Sequence, residues 1–384
     1  MPGFQRLRVS GYRRLAALDL PLAPLNVLIG ANAVGKSSVL SVFDLLSSAA
    51  DGVLESAISD YGGIDSILTA DGRTTSMVLE VSSRAETGPF LDYHLRLDRQ
   101  GYGYVVSEET LTRLGEPPAA RPFRYIDASG PVVHYRNPAG SMIQPDWDYK
   151  PRETALSQIP RMYREGESFR ARLGAIGGVY HELDTVLRAS VRRPQKLLPT
   201  QLPGLDGEDL LPCLYNLRET APDRFEAILD ALRVAFPGFE RLEFPVAAAG
   251  LIALGWRESG LSRPIYANEL SQGALRFLWL ATLLQSPGLG EVTLIDEPEV
   301  SLHPEMLRLL VELMREATSR TQLVVATHSD RLVRFLEPSE LVVCDRDDAG
   351  AMTAARADSI DLSGWLGEYT LDQLWAMGRV GGRS

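Results

Sequence analysis

The sequence predicts an α/β fold built on a parallel sheet, together with an antiparallel β subdomain and a helical insertion. In the last third of the chain, short apolar strands alternate with helical patterns, as in EVTLID, PEMLRLLVELMREA and QLVVAT. This alternation is typical of parallel strands connected by helices. Near the N-terminus, the apolar stretch LNVLIG leads into a loop ending in Gly-Lys-Ser and then into a helical pattern. A strand, a loop and a helix in this order fit one unit of such a sheet.

The pattern along the chain predicts four segments. Residues 1–60 form an N-terminal lobe that carries the Gly-Lys-Ser loop. Residues 61–150 contain alternating stretches such as SMVLEVSS and LDYHLRLD, which predict a mainly β subdomain with antiparallel strands. Residues 151–238 have apolar spacing near the helical period and predict a helical insertion, a lid or an arm. Residues 239–384 form a C-terminal lobe with the α/β alternation.

The composition favours a reduced, cytoplasmic protein. The chain has 384 residues, of which 45% are hydrophobic, and a formal net charge of −11. No apolar run approaches the ~20 residues of a membrane span, and the first residues lack the apolar centre of a signal peptide. The two cysteines lie far apart in the sequence, at positions 213 and 344. The negative charge counts against a surface that coats nucleic acid broadly, although a local basic track remains compatible with it.

Residues 30–37, GANAVGKS, match the pattern G-x-x-x-x-G-K-[ST] of phosphate-binding loops. Glycine allows backbone N–H groups to approach a phosphate closely, and the N-terminus of the following helix favours an anion. Lys36 is expected to reach the β- and γ-phosphates, and Ser37 to bind Mg²⁺. The alternative is a chance match in an ordinary strand–turn–helix. The nucleotide-binding residues predicted in this stretch are Gly30, Ala31, Asn32, Ala33, Val34, Gly35, Lys36, Ser37 and Ser38.

Two adjacent carboxylates, Asp296 and Glu297, end the apolar strand of EVTLIDEPE. Placing both at the end of a buried strand carries a desolvation cost, which a nearby cation would offset. Asp296 is therefore a predicted Mg²⁺ ligand, acting through water, and Glu297 is predicted to orient or deprotonate the attacking water. The alternative is an ordinary strand end that turns into an acidic loop.

Two further stretches place polar residues where apolar elements begin or end. His328 follows the strand LVVAT and could donate to a γ-phosphate, or it could be a plain surface histidine. Ser271, with Gly273, precedes the apolar helix of LSQGALRFLWLATLL. Ser271 could be a helix N-cap, or this helix N-terminus could contact the nucleotide of a second subunit.

The order of these motifs resembles an ABC-type ATPase head. Residues 30–37, 270–276, 292–297, 301–304 and 328 fall where that family has Walker A, the signature, Walker B, the D-loop and the H-loop. The opening FQRLRVSGYRRLAALDLPL, together with IDEPEVSLHPE and ATHSDRL, resembles the RecF/SMC branch, and among it the compact RecF-like predicted ATPases of the AAA family. The tail GEYTLDQLWAMGRVGG is similar to the C-terminus of these proteins.

The resemblance assigns roles to individual positions. It implies a P-loop NTPase fold of the ABC-ATPase head type, with ATP and Mg²⁺ as substrate and cofactor. It places Glu297, His328 and Lys36 in catalysis, and it adds Arg13 as a basic residue near the nucleotide. Four more residues fall on motifs that act across a dimer or link its two sites: Ser271 and Gly273 in the signature, and Ser301 and His303 in the D-loop. No glutamine occupies a recognisable Q-loop, and the loop at residues 61–63 is the expected region.

These features together predict a slow ATPase that closes into a homodimer around ATP and acts as a switch. The resemblance implies DNA repair, chromosome maintenance or phage defence, with DNA as a partner. The alternative is an ATP-dependent scaffold or sensor for a separately encoded effector protein, which the net charge of −11 slightly favours. A transporter subunit fits less well because the signature reads LSQG. The 56 residues after His328 are expected to be too few for the nuclease domain of overcoming-lysogeny-defect proteins.

Overall fold

The computed structural model describes residues 3–84, 89–114, 123–137, 139–146, 148–247 and 250–359, together with Gln373 and Trp375. The resemblance seen in the tail, residues 367–382, lies outside the described residues except for these last two positions. Among the described residues, no helix is long and apolar enough to cross a membrane.

In the described part of the chain, the strands form two large sheets and two small ones. In chain order they are β1 (Gly3–Tyr12), β2 (Leu15–Pro21), β3 (Leu25–Ile29), β4 (Ser76–Arg84), β5 (Phe90–Gln100), β6 (Gly103–Leu114), β7 (Phe123–Ser129), β8 (Val132–Arg136), β9 (Met142–Ile143), β10 (Ile176–Tyr180), β11 (Gln195–Lys196), β12 (Phe239–Glu243), β13 (Leu251–Ile252), β14 (Gly255–Glu258), β15 (Ile265–Tyr266), β16 (Val292–Asp296), β17 (Gln322–Thr327), β18 (Leu341–Arg346) and β19 (Met352–Arg356).

The described α-helices pack around these sheets. They are α1 (Lys36–Asp51), α2 (Leu54–Asp60), α3 (Ile64–Ile67), α4 (Arg164–Gly174), α5 (Leu210–Thr220), α6 (Pro222–Ala235), α7 (Gln272–Gln285), α8 (Pro304–Ala317) and α9 (Asp330–Val333).

The first large sheet is antiparallel and has the strand order β2-β1-β4-β5-β6-β7-β8-β9. Its strands alternate in burial; β5, for example, buries every second residue from Leu91 to Leu97. One face of the sheet therefore packs inward while the other meets solvent, which is why these strands show a period of two in the sequence.

The second large sheet has the order β10-β16-β17-β3-β18-β19, and its first five strands are parallel. The central strand β3 is buried along its whole length. Val27 and Ile29 pack into one hydrophobic cluster with α7 and α8, whereas Leu28 packs into the other cluster with α1. Covered faces on both sides explain the uninterrupted apolar run in the sequence. This sheet positions the candidate site, because parallel strands end at one edge.

Two expectations about the segments need correction. The segment 151–238 is not purely helical, because it contributes β10, which pairs in parallel with β16 through Val179 and Leu294. The boundary at residue 60 cuts through one sheet, because β1 pairs with β4. Both differences arise because strands distant in sequence pair within one sheet, which local periodicity cannot show. Residues 60–75, where the first two predicted segments meet, contain the short helix α3.

Candidate nucleotide-binding site

A cavity of about 440 Å³ opens at the edge where the parallel strands end. The loop after β3, the end of β16 and the residue after β17 meet there, although they are distant in sequence. The lining residues are Arg13, Arg14, Asn32, Ala33, Gly35, Lys36, Ser37, Ser38, Asp296, Glu297 and His328. The fold thus brings ten of the residues predicted from the sequence into one cavity, and Arg14 is the residue that the sequence analysis did not select.

Lys36 is enclosed by its own loop. Its Nζ donates to the carbonyl oxygens of Gly30 at 2.7 Å and Ala31 at 3.0 Å. Burial lowers the pKa of the Lys36 ammonium from its usual value, while nearby acidic groups partly oppose this effect. Gly30 and Ala31 therefore act through these carbonyls, and Val34 is buried in the core with 1% exposure. None of these three loop residues lines the cavity itself.

Ser37 and Asp296 join the two halves of the site. The Ser37 Oγ donates to Asp296 Oδ2 over 3.2 Å, although the residues are 259 positions apart. A hydroxyl and a carboxylate are hard oxygen donors, the class that Mg²⁺ prefers, and Mg²⁺ commonly keeps several waters beside one or two such groups. The donor set at this point therefore fits Mg²⁺.

Glu297 and His328 form a pair beside this point. The Nε2 of His328 lies 2.9 Å from Glu297 Oε1, and the two side chains are 40% and 39% exposed. Glu297 donates its backbone N–H to Ala326 O at 2.8 Å, which fixes it against the neighbouring strand. The carboxylate is therefore held by a strand-end histidine while remaining open to the cavity.

His181, at the end of β10, is a functional candidate that the sequence analysis missed. Its Nδ1 lies 3.5 Å from Asp296 Oδ2, and the Asp296 carboxylate raises the pKa of this imidazole. Tyr61, in the expected Q-loop region, lies near Arg13 but does not line the cavity, and its hydroxyl donates to Asp44. The side chain that approaches Asp296 from the neighbouring strand is thus a histidine and not a glutamine.

Arg276 connects the helix α7 to this part of the site, and it too was missed. Its guanidinium donates to the carbonyl oxygens of His181 at 2.7 Å and Glu297 at 2.9 Å. The side chain is 1% exposed and lies over Trp279, and burial lowers the pKa of Arg276 to about 10. Because one buried cation holds both backbones, α7 and the two residues beside Asp296 are mechanically linked.

The signature and D-loop residues lie outside the cavity. Ser271 caps α7 by accepting the backbone N–H of Ala274 at 3.1 Å, and its residue is exposed. Gly273 packs against the D-loop so closely that a Cβ there would lie 2.7 Å from Ser301 O. His303 caps α8, its Nδ1 facing the Glu305 N–H at 3.5 Å. The structure therefore brings Gly273 to Ser301, and none of the four residues lines the cavity of the Lys36 loop in the same chain.

Strained backbone marks the same region. Among the described residues, the non-glycine positions with positive φ are Arg13 (45°), Ala33 (60°), Glu297 (50°) and Ser301 (64°). The first three line the cavity, and Ser301 contacts the glycine of the signature stretch. Such conformations cost about 1–3 kcal/mol each and persist where the surrounding structure determines them.

Arg13 and Arg14 also line a second cavity of about 580 Å³ that adjoins the first. The Arg13 guanidinium lies between two rings, 5.4 Å from the centre of Tyr12 and 5.1 Å from that of Tyr61. The cavity beside Lys36 is thus continued by the larger cavity on the other side of Arg13 and Arg14.

Comparisons with known proteins show the family of this chain and one relative. The protein family described as "AAA domain, putative AbiEii toxin, Type IV TA system" matches residues 25–334. An "OLD nuclease" from Thermus scotoductus is 24% identical over 394 aligned residues, which cover 99% of this chain and 68% of that protein.

Solved structures with a similar fold are SMC heads. A SMC head bound to the C-terminal winged-helix domain of ScpA superposes with a TM-score of 0.54 at 13% identity, covering 92% of this chain and 97% of that one. A SMC head with an extended coiled coil, bound to the C-terminal domain of ScpA from Pyrococcus furiosus, gives a TM-score of 0.52 at 12% identity over 99% of both chains. The fold is thus that of an SMC-type ATPase head.

Proposed function

We propose that this chain binds and hydrolyses Mg-ATP as a dimerising switch. The premise is that the chain belongs to the family described as "AAA domain, putative AbiEii toxin, Type IV TA system". The observation that carries the proposal is the meeting, in one cavity, of the Lys36 loop with Asp296, Glu297 and His328. These motifs are far apart in sequence but meet in space. ATP hydrolysis needs such a meeting, because a phosphate site, a metal site and a carboxylate that positions water must lie together.

The triphosphate would lie on the loop of residues 30–38, with its base and ribose in the adjoining cavity beyond Arg13 and Arg14. Lys36 already points along the loop, where its Nζ is held by two carbonyl oxygens. Exchanging these carbonyl oxygens for phosphate oxygens would give the buried ammonium a negatively charged partner. Backbone N–H groups at the start of α1 would contact the same phosphates.

Ser37 and Asp296 would hold the metal, with the His181 imidazole beside Asp296. When present, Mg²⁺ neutralises phosphate charge and orients the leaving group. Glu297 would position the attacking water and accept its proton, and His328 would hold the Glu297 carboxylate and contact the γ-phosphate. The 2.9 Å contact between His328 and Glu297 supports this division of roles.

The proposed dimer rests on the observation that Ser271 and Gly273 do not line the cavity of their own chain. Ser271 and Gly273 begin a 14-residue helix whose exposed N-terminus is turned toward no phosphate loop of its own chain. A second copy could supply each cavity with this helix terminus, whose N–H groups and dipole favour an anion. Contacts of ATP with both subunits would then stabilise only the closed dimer, and hydrolysis would remove this stabilisation.

The biological output that we propose for this switch is work on DNA. The resemblance to RecF and SMC proteins favours work on DNA, in repair, chromosome maintenance or phage defence, and the nuclease named among the relatives fits that setting. The alternative is a scaffold for a separate protein effector, in keeping with the net charge of −11. DNA affinity that falls steeply with salt would favour the first, because phosphate contacts release counterions.

Light scattering with and without Mg-ATP tests the central proposal. In Glu297→Gln, ATP should double the mass, because the nucleotide stays bound while hydrolysis falls by about 100-fold or more. Adding Lys36→Ala should abolish nucleotide binding, and adding Ser271→Arg should abolish only the doubling. If ATP binds to Glu297→Gln and its mass never changes, the composite-site proposal is wrong and Ser271 is a helix cap alone.

A further inference from the structure

A second polar cavity lies on the antiparallel sheet, away from the residues discussed so far. It has a volume of about 530 Å³ and is formed by the ends of β6, β7 and β8 and the first residues of α4. None of its lining residues lines the nucleotide cavity. The term arginine–aromatic cavity refers here to its residues Arg113, Phe123, Tyr125, Arg136, Tyr163 and Arg164.

The lining carries excess positive charge. Three arginines face one acidic residue, Glu165, in a chain whose overall charge is −11. Within the part of the chain that the structure describes, Arg113, Arg136 and Arg164 form no ion pair. Because Arg113 and Arg164 lack a carboxylate partner there, their guanidinium groups can pair with an anion such as a phosphate.

One of these arginines is already fixed in place. Arg136 donates from Nε to Arg124 O and from Nη1 to Gly140 O, both at 2.7 Å. Its guanidinium lies 4.2 Å from the centre of the Phe123 ring, which in turn meets the Tyr125 ring at 5.1 Å, edge to face. Because these groups are held before any ligand arrives, little conformational entropy would be lost on binding.

Phe123 gives the cavity an exposed aromatic surface. The residue is 39% exposed, and Met162 beside it is 66% exposed. Flat aromatic rings and guanidinium planes at an open surface are the groups on which unstacked nucleic-acid bases pack. The volume of about 530 Å³ falls in the range of small-molecule sites.

We propose that the arginine–aromatic cavity binds a nucleotide unit, with its base on the Phe123–Arg136 pair and its phosphate against Arg113 and Arg164. The unit belongs either to a single-stranded nucleic acid or to a free mononucleotide, which share this chemistry. The two cavities have no lining residue in common, so binding at the arginine–aromatic cavity can be measured in a variant that does not bind ATP at Lys36.

The test uses the full chain carrying Lys36→Ala, so that binding at the phosphate loop does not contribute. Fluorescence anisotropy follows a labelled oligothymidine of roughly 12 nucleotides, a length that single-strand sites cover. Phe123→Ala should weaken binding by about 10-fold, since stacking on one ring contributes ~1–3 kcal/mol. Arg113→Gln should weaken it and lower the slope of log affinity against log salt by about 1.

Matched controls separate this site from general surface effects. Tyr102→Ala removes an aromatic ring that is fully exposed elsewhere, and Arg233→Gln removes an exposed charge on α6. Both should bind the strand like the parent protein, whereas Phe123→Tyr should restore most of the affinity lost in Phe123→Ala. Circular dichroism of each variant checks that the fold is retained.

Competition identifies the source of the nucleotide. If unlabelled AMP displaces the strand at a concentration near its own Kd, a free mononucleotide is the ligand; if only longer strands compete, the ligand is nucleic acid. The proposal is overturned if the parent protein binds neither probe, or if Phe123→Ala and Arg113→Gln bind as the two controls do.

Discussion

At the scale of residues, Asp296 is the point where the site converges. The Ser37 hydroxyl reaches its Oδ2 from the phosphate loop, and the His181 imidazole approaches the same oxygen from β10. A carboxylate approached from two sides is fixed in orientation, so a metal bound there would meet a preformed set of donors. Partners of this kind commonly change metal affinity by one to two orders of magnitude.

We expect His181→Ala to reduce the Mg²⁺-dependent gain in ATP affinity by about 10-fold, because the imidazole no longer orients Asp296 and its water. Calorimetric titration of ATP into Glu297→Gln, with Mg²⁺ and with EDTA, measures this gain without relying on turnover. His134→Ala, on β8 of the other sheet, is the matched control. An unchanged Mg²⁺ dependence in His181→Ala would remove this residue from the metal site.

The residues differ in how far the sequence could predict them. Lys36 and Ser37 belong to a contiguous motif, so their spacing alone indicates a phosphate site. His181 follows a strand whose pattern is broken by Gly177 and Gly178, and nothing local shows that this strand lies beside β16. Arg276 reads as one charge inside an apolar helix, and only tertiary packing reveals the two carbonyls that it holds.

At the scale of elements, α7 has two separable properties. Ser271 caps its N-terminus through the bond to Ala274, and Arg276 ties its first turn to the backbones of His181 and Glu297. Movement of this helix against a second subunit would therefore be transmitted to the backbone of Glu297, the residue proposed to position the attacking water. The apolar sequence of α7 is typical of a core helix, but α7 also contacts the candidate site through Arg276.

Two substitutions at Ser271 separate capping from contact with a nucleotide. Ser271→Ala should lower the free energy of unfolding by about 1 kcal/mol, because the cap is lost. Ser271→Asp should keep the stability, since aspartate is an equally good N-cap, but it should abolish the ATP-dependent doubling of mass in Glu297→Gln because a carboxylate would face the γ-phosphate. Urea unfolding and light scattering measure the two effects; an aspartate variant that still dimerises would leave Ser271 as a cap only.

At the scale of the whole molecule, the sheets interlock through sequence-distant segments. The Gln322 side chain on β17 donates to Phe4 O on β1 and to Ala23 O, both at 2.9 Å. Arg172 on α4 pairs with Glu291 just before β16 at 2.5 Å. The α/β class and the antiparallel subdomain were predictable from periodicity, whereas the pairing of β10 with β16 was not, because strand order depends on contacts that no local pattern encodes.

This interlocking predicts that residues 151–238 cannot be removed as an independent arm. Replacing them with a short flexible linker should abolish cooperative thermal unfolding, because the edge strand β10 and the buried faces of α5 and α6 would be lost together. Replacing only the exposed residues 186–188 with Gly-Ser-Gly is the control and should leave the transition unchanged. A soluble, cooperatively folding deletion variant would restore the interpretation of this segment as a separate lid.

The positive φ angles at Arg13, Ala33, Glu297 and Ser301 have a consequence for directed evolution. Glycine or asparagine adopts a positive φ with less strain, so each such substitution should raise the free energy of unfolding. A library screened for heat resistance alone would therefore select these substitutions. At Ala33 the exchange to glycine would leave the loop usable, but at Glu297 it would delete the carboxylate. Under the role proposed for Glu297, a screen for thermal tolerance alone would enrich inactive variants, so activity should be selected in every round.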